Sequence, residues 1–130
     1  MAKTSSSSYL LYGGAVLAVI FLIAFAANQE PAPSIYDEFA QCLTEEGVTM
    51  YGAWWCPHCE RQKEEFGDAF SFVNYVECSP AGTRSMSAAC KAEGIEGYPT
   101  WEYADGSRVS GEQRLETLAT QTGCELPVSE

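Results

Sequence analysis

A chain of 130 residues with six cysteines has room for one domain and little more. Its 7 Lys and Arg stand against 18 Asp and Glu, a formal net charge of −11 that disfavours a nucleic-acid binder, because such proteins neutralise phosphates with a basic surface. The charged fraction of 19%, with 12% aromatic residues, is also too apolar for a disordered acidic tail. We therefore expect a folded domain that binds no nucleic acid.

The first part of the chain carries a long apolar segment. Residues 9–27 read YLLYGGAVLAVIFLIAFAA, without a charged residue, and about 20 apolar residues suffice to cross a bilayer as a helix. Lys3 precedes the segment and Glu30 follows it, a difference that places the N-terminus in the cytoplasm. A cleaved signal peptide, with a small-x-small site at Ala24-Phe25-Ala26, is the alternative, but its apolar stretch usually measures only about 7–15 residues. The sequence favours an anchor.

Both alternatives give the same organisation beyond the apolar segment. The prediction is a short cytoplasmic N-terminus over 1–8, a transmembrane anchor or uncleaved signal over 9–27, a linker over 28–33 and a folded domain over 34–130, which carries all six cysteines. Because disulfides persist in exported compartments, we expect this domain on the extracytoplasmic side, in the periplasm, at the cell exterior or in an equivalent lumen.

Apolar periodicity, caps and turns predict the elements of this domain. Capping boxes open the first and last helices, and a proline after the first CxxC cysteine favours a helix there. In chain order the elements are a helix from Ser34/Asp37, a strand over 48–54, a helix beginning at the CxxC cysteines, a strand over 70–77, a helix over 83–93, a strand over 98–103, a hairpin turn at Asp105-Gly106 leading into Arg108-Val109, and a helix from Ser110/Gln113 to about Thr122. This order predicts an α/β fold, one central mixed sheet with helices on both faces.

The segment Trp55-Cys56-Pro57-His58-Cys59 carries the strongest signal for chemistry. Two thiols at positions i and i+3 in a first helical turn can close a small disulfide ring without disrupting the fold. The helix N-terminus supplies partial positive charge and unpaired N–H groups, a setting in which a cysteine pKa falls to roughly 3.5–7.5. Cys56, nearer the helix start, is the predicted nucleophile, and Cys59 is predicted to resolve the mixed disulfide.

His58 is the only histidine of the chain and stands between the two cysteines. From there it can donate a hydrogen bond or partial positive charge toward the Cys56 sulfur. Stabilising the thiolate stabilises the reduced form, which makes the disulfide more oxidising. The motif therefore predicts an oxidising thiol pair.

Other uses of these two cysteines have weaker support. A zinc site usually needs a second close pair or paired histidines, and Cys78 and Cys90 are well separated in the sequence. Haem attachment needs a histidine directly after the second cysteine, where this chain has Glu60. A purely structural CxxC disulfide stays open as an alternative. The sequence favours a redox dithiol with no metal and no cofactor beyond the disulfide.

Residues 34–124 resemble the thioredoxin superfamily, through WCPHC and the later segment Gly97-Tyr98-Pro99-Thr100. The resemblance implies a thioredoxin-like fold in which Pro99 is cis and its loop lies against the active disulfide. It also implies that an extended substrate segment pairs with this loop, at Tyr98 and Pro99. Trp55, which directly precedes the first cysteine, is a further predicted substrate-binding residue because an exposed aromatic side chain there could receive an unfolded chain. CPHC is the motif of the periplasmic oxidant DsbA. The stretches YGAWWCPHC, ECSP with the later Cys90, and EGYPTWEY are most similar to the thioredoxin-like domain fused to bacterial vitamin K epoxide reductase homologues.

Two features depart from the resembled families. Many thioredoxins carry a buried acid six residues before the first cysteine as a proton shuttle, and this chain has Met50 there. The four-helix bundle that reduces quinone in the fused homologues is not among these 130 residues. A single apolar segment cannot hold a quinone site, so we expect reoxidation by a separate partner.

The other four cysteines are Cys42, Cys78, Cys90 and Cys124, which allow three pairings. Sequence proximity favours Cys78–Cys90, and the resembled domain carries such a pair. Cys42–Cys124 follows by elimination and would join the two ends of the domain. Both pairs are predicted as structural disulfides. The alternative is that Cys78–Cys90 is a second redox pair that relays electrons to Cys56–Cys59.

The sequence thus predicts a membrane-anchored extracytoplasmic thiol–disulfide oxidoreductase that oxidises cysteine-containing exported proteins. A separate membrane oxidase, similar to vitamin K epoxide reductase or to DsbB, would restore the Cys56–Cys59 disulfide. An extracytoplasmic reductase, for cytochrome maturation or protein repair, is the alternative within redox chemistry. A non-catalytic metal-binding or adaptor module is the alternative of another class.

Overall fold

The computed structural model describes residues 6–27 and 32–128. The chain divides into two compact units, one up to residue 32 and one from residue 33 onward. In the first unit the described residues form one helix, α1 (Ser6–Ala27), whose side chains from 12 to 26 are all exposed. Among the described residues, no helix meets the length and apolarity that crossing a membrane requires. The expected transmembrane anchor over 9–27 is therefore unsupported, and the predicted segments 1–8 and 28–33 lie largely outside the described residues.

The second unit is an α/β domain whose elements alternate in the predicted order. They are α2 (Asp37–Glu45), β1 (Thr49–Gly52), α3 (Pro57–Phe66), a 3-10 helix (Gly67–Phe72), β2 (Tyr75–Glu77), α4 (Ala88–Ala92), β3 (Thr100–Glu102), β4 (Arg108–Ser110) and α5 (Leu115–Thr122). The strands form a four-stranded sheet in the order β2-β1-β3-β4. β1 is parallel to β2 and antiparallel to β3, and β3 is antiparallel to β4. The prediction of a mixed sheet flanked by helices is confirmed.

The sheet buries apolar side chains on both of its faces. Neighbouring residues of a strand point to opposite faces, and Met50 and Tyr51 of β1 accordingly belong to two separate clusters. The larger cluster joins Met50 and Trp101 to side chains of three helices, which include Phe39 and Leu43 of α2, Phe66 of α3 and Leu118 of α5. The smaller cluster joins Tyr51 to Cys78, Ile95 and Cys90, the last of which lies on α4. α4 thus covers one face and α2, α3 and α5 cover the other.

The predicted strand over 70–77 is mostly wrong. Only Tyr75–Glu77 form a strand, because residues 67–72 continue from α3 as a 3-10 helix. Phe70 then lies edge-on to both Phe66 and Tyr75, with ring centroids 6.0 and 5.6 Å apart. Apolar and polar residues alternate around Phe70, a pattern that is typical of a strand. The contacts of the Phe70 ring with Phe66 and Tyr75 favour the 3-10 helix instead.

Two helices, α2 and α5, do not begin at the serines that the predicted capping boxes indicate. Ser34 N–H donates to Asp37 Oδ2 at 2.9 Å, but this contact closes a turn before α2, which begins at Asp37. Ile35 consequently lies outside the helix and is 60% exposed. Ser110 lies in β4 and caps no helix, so α5 begins only at Leu115.

The other predicted elements are shorter than expected. The helix over 83–93 is reduced to Ala88–Ala92, because Ser87 provides the N-cap by accepting a hydrogen bond from the Cys90 N–H at 3.2 Å. The strands predicted over 48–54 and 98–103 are reduced to Thr49–Gly52 and Thr100–Glu102. The second begins directly after the cis Tyr98–Pro99 peptide bond.

Two disulfides cross-link the domain. Cys42 of α2 is bonded to Cys124 beyond α5, across 82 positions of the chain. Cys78, which follows β2, is bonded to Cys90 of α4 across 12 positions. These are the pairs that the sequence analysis favours. The first ties the two ends of the domain together, and the second attaches α4 to the sheet.

Removal of the Cys42–Cys124 disulfide should lower the free energy of unfolding more than removal of Cys78–Cys90. Restriction of the unfolded chain contributes at most about 4.5 kcal/mol for the longer loop and about 3 kcal/mol for the shorter one. Urea unfolding of the full chain, with each pair replaced by alanines and followed by tryptophan fluorescence, measures both losses. The prediction is wrong if the Cys78→Ala/Cys90→Ala variant loses more.

Candidate active site

The CxxC motif lies where β1 leads into α3. Cys56 is the N-cap residue of α3, with an extended backbone, and Pro57 occupies the first helical turn. The Cys56 N–H donates to the Ala53 carbonyl at 3.0 Å, which closes the turn between strand and helix. Proline suits this position because the N–H it lacks would have no partner within the helix. The motif thus sits at the positive end of a ten-residue helix.

Cys56 and Cys59 are the cysteines without a disulfide bond among the described residues. The Cys56 side chain is 5% exposed and Cys59 is fully buried. The Cys56 sulfur lies 3.7 Å from the carbonyl oxygen of Tyr98, which belongs to the cis Tyr98–Pro99 peptide bond. The structure therefore brings together the CxxC motif and the Pro99 loop, which are about 40 residues apart in the sequence.

The environment of Cys59 differs from the one that the motif predicts. The pKa of Cys59 is raised to about 12, mainly by burial and also by its proximity to Cys56, whereas the Ala53 backbone and the Lys63 ammonium act in the opposite direction. The predicted lowering of the thiol pKa is therefore wrong for Cys59, because desolvation outweighs the helix terminus. The two thiols of the pair are not equivalent. Cys59 holds its proton at neutral pH, and Cys56 is the sulfur nearer the surface.

Gly52 makes the tight packing around Cys59 feasible. A Cβ placed on Gly52 would lie 2.7 Å from Cε2 of Tyr75, and 3.0 Å from both the Cys59 sulfur and the Tyr75 hydroxyl oxygen. Any larger residue would have to displace β2 or α3. Gly52 thus allows the sulfur and the tyrosine hydroxyl to approach the same point above β1.

His58 does not make the contact that the sequence predicts. Its Nδ1 lies 2.5 Å from Glu112 Oε1 and 2.7 Å from Arg61 Nη2, and its side chain is 60% exposed. Arg61 also contacts Glu112 at 2.6 Å. Arg61 and then His58 hold the pKa of Glu112 below its usual range. The histidine therefore joins a surface ion cluster with a loop after β4, and no hydrogen bond to the Cys56 sulfur is present among the described contacts.

Two residues of that cluster were missed by the sequence analysis. Arg61 follows His58 by three positions, a spacing that places both side chains on one face of a helix and could have revealed the contact. Glu112 comes from the loop between β4 and α5. Nothing in the sequence near Glu112 indicates that this loop reaches the motif.

Gln62 is a further residue that sequence reasoning missed. It is fully buried one turn beyond the cysteines, and its Oε1 accepts hydrogen bonds from Trp101 Nε1 at 3.2 Å and from the Gln113 N–H at 2.6 Å. Its Nε2 donates to the Gln113 carbonyl at 2.9 Å. A buried amide whose donors and acceptor are paired in this way fixes its neighbours firmly. Gln62 therefore holds α3 against β3 and against the loop that carries Glu112.

Aromatic side chains flank the motif on the side of the cis-proline. Trp55 is half-buried, donates from Nε1 to Ser79 Oγ at 2.8 Å, and meets Tyr98 edge-on with ring centroids 6.0 Å apart. Pro99 is buried behind them. Trp55, Tyr98 and Pro99 are thus adjacent to the Cys56 sulfur, and the neighbouring Trp54 is 45% exposed.

The described residues offer few ligands for a metal. Four of the six cysteines are in disulfides, which leaves Cys56, Cys59 and His58 as nitrogen and sulfur donors. Within residues 6–27 and 32–128, no group of three or more His, Cys, Asp or Glu side chains has the arrangement to hold a metal ion. The geometry describes a buried dithiol at a helix N-terminus, beside a cis-proline carbonyl.

Comparisons with known proteins found relatives that match part of the chain. No family model matches the chain. The chain is 46% identical over 91 residues to the thiol-disulfide oxidoreductase LTO1 of Arabidopsis thaliana, a match that covers 67% of this chain and 24% of that protein. It is also 31% identical over 65 residues to the cytochrome b6-f complex iron-sulfur subunit of Prochlorococcus marinus, which covers 50% of this chain and 34% of that protein. A subunit of the same name from Synechococcus sp. is 29% identical over the same length. The chain thus spans between about a quarter and a third of the length of these relatives.

A thiolate titration should show the raised pKa of Cys59. Because its folded-state pKa is raised, Cys59 stays in the thiol form at neutral pH. The difference in absorbance at about 240 nm between Cys56→Ser and Cys56→Ser/Cys59→Ala, which cancels the tyrosines, reports the Cys59 thiolate and should stay near zero up to about pH 10. Urea-unfolded samples of the same two variants are the control, and their difference should rise with the ordinary cysteine pKa of about 8.5. A rise below pH 9 in the folded protein would contradict the assignment.

Proposed function

We propose that the chain is a protein thiol–disulfide oxidoreductase with a thioredoxin-like domain over 34–130 and Cys56–Cys59 as its redox centre. The observation that carries this proposal is the 3.7 Å approach of the Cys56 sulfur to the carbonyl of Tyr98, at a cis-proline loop. The carbonyl belongs to the loop at which an extended substrate segment would pair. The similarity to a protein named thiol-disulfide oxidoreductase supports the same reaction, and the strand order supports the thioredoxin-like assignment.

In the oxidising direction the reaction proceeds in two exchanges. A substrate thiolate attacks the Cys56 sulfur of the enzyme disulfide, a substrate–Cys56 disulfide forms, and Cys59 leaves as a thiolate that takes up a proton. A second substrate thiolate then attacks the substrate sulfur of this mixed disulfide, and Cys56 leaves. The substrate gains a disulfide, and the enzyme gains two electrons and two protons as a dithiol. Trp55, Tyr98 and Pro99 form the surface against which the substrate chain lies.

We propose oxidation as the direction, with an extracytoplasmic location. The position of Cys56 at the N-terminus of α3 supports a stabilised reduced form, and the two structural disulfides support an oxidising compartment. The substrates would be cysteine-containing exported proteins. A separate membrane oxidase, similar to vitamin K epoxide reductase or to DsbB, would reoxidise the pair.

An iron–sulfur cluster does not fit the residues of this chain, although two relatives carry that term in their names. Such clusters are held by four Cys or His ligands. With four cysteines in disulfides and one histidine in the chain, only three such donors remain. We therefore derive no reaction through a cluster.

A trapping experiment tests the proposed activity. In a Cys59→Ala variant of the full chain, Cys56 can still form a disulfide with a substrate cysteine, but no Cys59 thiol is present to attack Cys56 and release the substrate, so mixed disulfides should accumulate in cells. Non-reducing electrophoresis and mass spectrometry would identify the bound proteins. The matched control is Cys56→Ala/Cys59→Ala, which should trap none. If the single variant traps no more than the control, the redox proposal fails.

The reduction potential tests the direction. Equilibration of the full chain with glutathione buffers, followed by alkylation of free thiols, should give a value well above that of thioredoxin, at about −270 mV. The oxidant proposal is wrong if the potential lies at or below that value, and a reductase would then be the better assignment.

A further inference from the structure

A proton has to leave Cys59 whenever the active disulfide closes, and His58, the ionisable side chain between the two cysteines, is engaged with Glu112 and Arg61 at the surface instead. Cys59 is fully buried, so water does not reach its sulfur directly. Met50, on the central strand beneath it, is also fully buried and has no ionisable group. The charged and titratable groups that face the sulfur are Cys56 and Lys63 from α3, Tyr75 from β2 and Tyr98 from the loop before β3.

Tyr75 and Glu77 of β2 connect this buried point with the surface. The Tyr75 hydroxyl and the Cys59 sulfur each lie 3.0 Å from the position that a Cβ of Gly52 would take. The two atoms are therefore separated by no more than twice that distance. The hydroxyl donates to Glu77 Oε2 at 2.8 Å, and Glu77 is exposed to solvent.

The carboxylate of Glu77 is held in place by the backbone. Its Oε1 accepts hydrogen bonds from the Ser79 N–H at 2.8 Å and from the Trp54 N–H at 3.2 Å. Oε2 is thereby directed at Tyr75. The tyrosine ring is fixed in turn by the Lys63 ammonium, which lies 4.0 Å from its centroid, a cation–π contact.

We propose that Tyr75 and Glu77 form a proton relay that serves Cys59, an inference that rests on the proposed redox function. When Cys59 attacks the Cys56 sulfur of a mixed disulfide, a new Cys56–Cys59 bond forms and the substrate leaves as a thiolate. The Cys59 proton passes to the Tyr75 oxygen as the Tyr75 proton passes to Glu77, which releases it to solvent. In the opposite direction, the Cys59 thiolate released from the disulfide is protonated along the same path.

The electrostatic environment agrees with this arrangement. Burial and then the hydrogen bond to Glu77 raise the pKa of Tyr75. The hydroxyl therefore does not ionise by itself, and it gives its proton to Glu77 only as it receives the proton of Cys59. Burial also raises the pKa of Cys59, so its ionisation alone would leave little thiolate at neutral pH. A base coupled to the attack removes this limitation.

Oxidation of the reduced protein by glutathione disulfide isolates the step in which Cys59 attacks the Cys56 sulfur and closes the Cys56–Cys59 disulfide. The reduced full chain first forms a glutathione–Cys56 disulfide, and Cys59 then displaces glutathione at a rate that does not depend on glutathione disulfide concentration. Acid quenching and mass spectrometry between pH 5 and 9 measure that rate. For the unmodified protein it should level off within this range, because the Glu77 carboxylate accepts the proton through Tyr75. In Tyr75→Phe and Glu77→Gln it should rise about tenfold per pH unit and be about a hundredfold lower at pH 7.

Two control variants make the pH profile specific. Tyr103→Phe removes another buried hydroxyl, one without a hydrogen-bond partner and on the opposite side of β1 from β2, and should leave the profile unchanged. Lys63→Met should lower the rate at every pH, since the ammonium positions the tyrosine ring, but it should keep the plateau, since the lysine carries no proton in the relay. Both results support the proposal. A plateau lost in Lys63→Met but kept in Tyr75→Phe would assign the proton to the lysine and overturn the relay.

The outcomes separate the relay from the proposed function. If Tyr75→Phe and Glu77→Gln both keep the pH profile of the unmodified protein while the ring still closes, the relay is wrong and the dithiol function stands. If the unmodified protein forms no Cys56–Cys59 disulfide with glutathione disulfide, the proposed function fails and the relay fails with it. Loss of folding in Tyr75→Phe would show as a lowered unfolding temperature, and Glu77→Gln, which keeps an oxygen for the Trp54 and Ser79 amides, then gives the result.

Discussion

The domain depends on one close approach at the carboxyl end of β1. Gly52 has no side chain, and the space above it is filled by the Tyr75 ring from β2 and the Cys59 sulfur from α3. Since three elements meet at this point, the distance between α3 and the sheet is set there. The same packing removes Cys59 from water, which is why its pKa is raised despite its position in the first turn of a helix. The packing of the fold and the acidity of the thiol thus have a single cause.

The rotation of α3 about its own axis is fixed from the other side by Gln62. Its amide is paired with Trp101 and with both the N–H and the carbonyl of Gln113. If α3 turned, these buried groups would lose their partners, at a cost of about 1–3 kcal/mol for each group. With α3 held in this way, Cys56 faces the Tyr98 carbonyl and Cys59 faces inward. Gln62 therefore contributes to the site without contacting either sulfur.

The sequence predicts those parts of the site that depend on local patterns. Apolar periodicity and turn residues predict the order of the elements. Pro57 after Cys56 and the later Gly-Tyr-Pro-Thr segment indicate which two stretches of the chain meet at the dithiol. The strand predicted over 70–77 failed, because aromatic contacts of Phe70 with Phe66 and Tyr75 are tertiary and leave no periodic trace. Glu112 and Gln62 were missed for the same reason: their partners come from segments about 50 residues away.

The contacts of His58 and Arg61 show why the identity of the residues between the cysteines does not by itself determine the redox behaviour. A histidine free of other contacts could direct its N–H to the Cys56 sulfur. Here Glu112 binds both His58 and Arg61, and its pKa is lowered first by Arg61 and then by His58, so the carboxylate remains ionised at neutral pH. The charge beside Cys56 is therefore the sum of two basic groups and one acid, and the acid lies outside the helix. Because Gln62 fixes the adjoining Gln113, the position of that carboxylate relative to the motif is set by the buried core. The arrangement of charges at the start of α3 thus depends on how the loop after β4 is anchored as well as on the dipeptide that the motif contains.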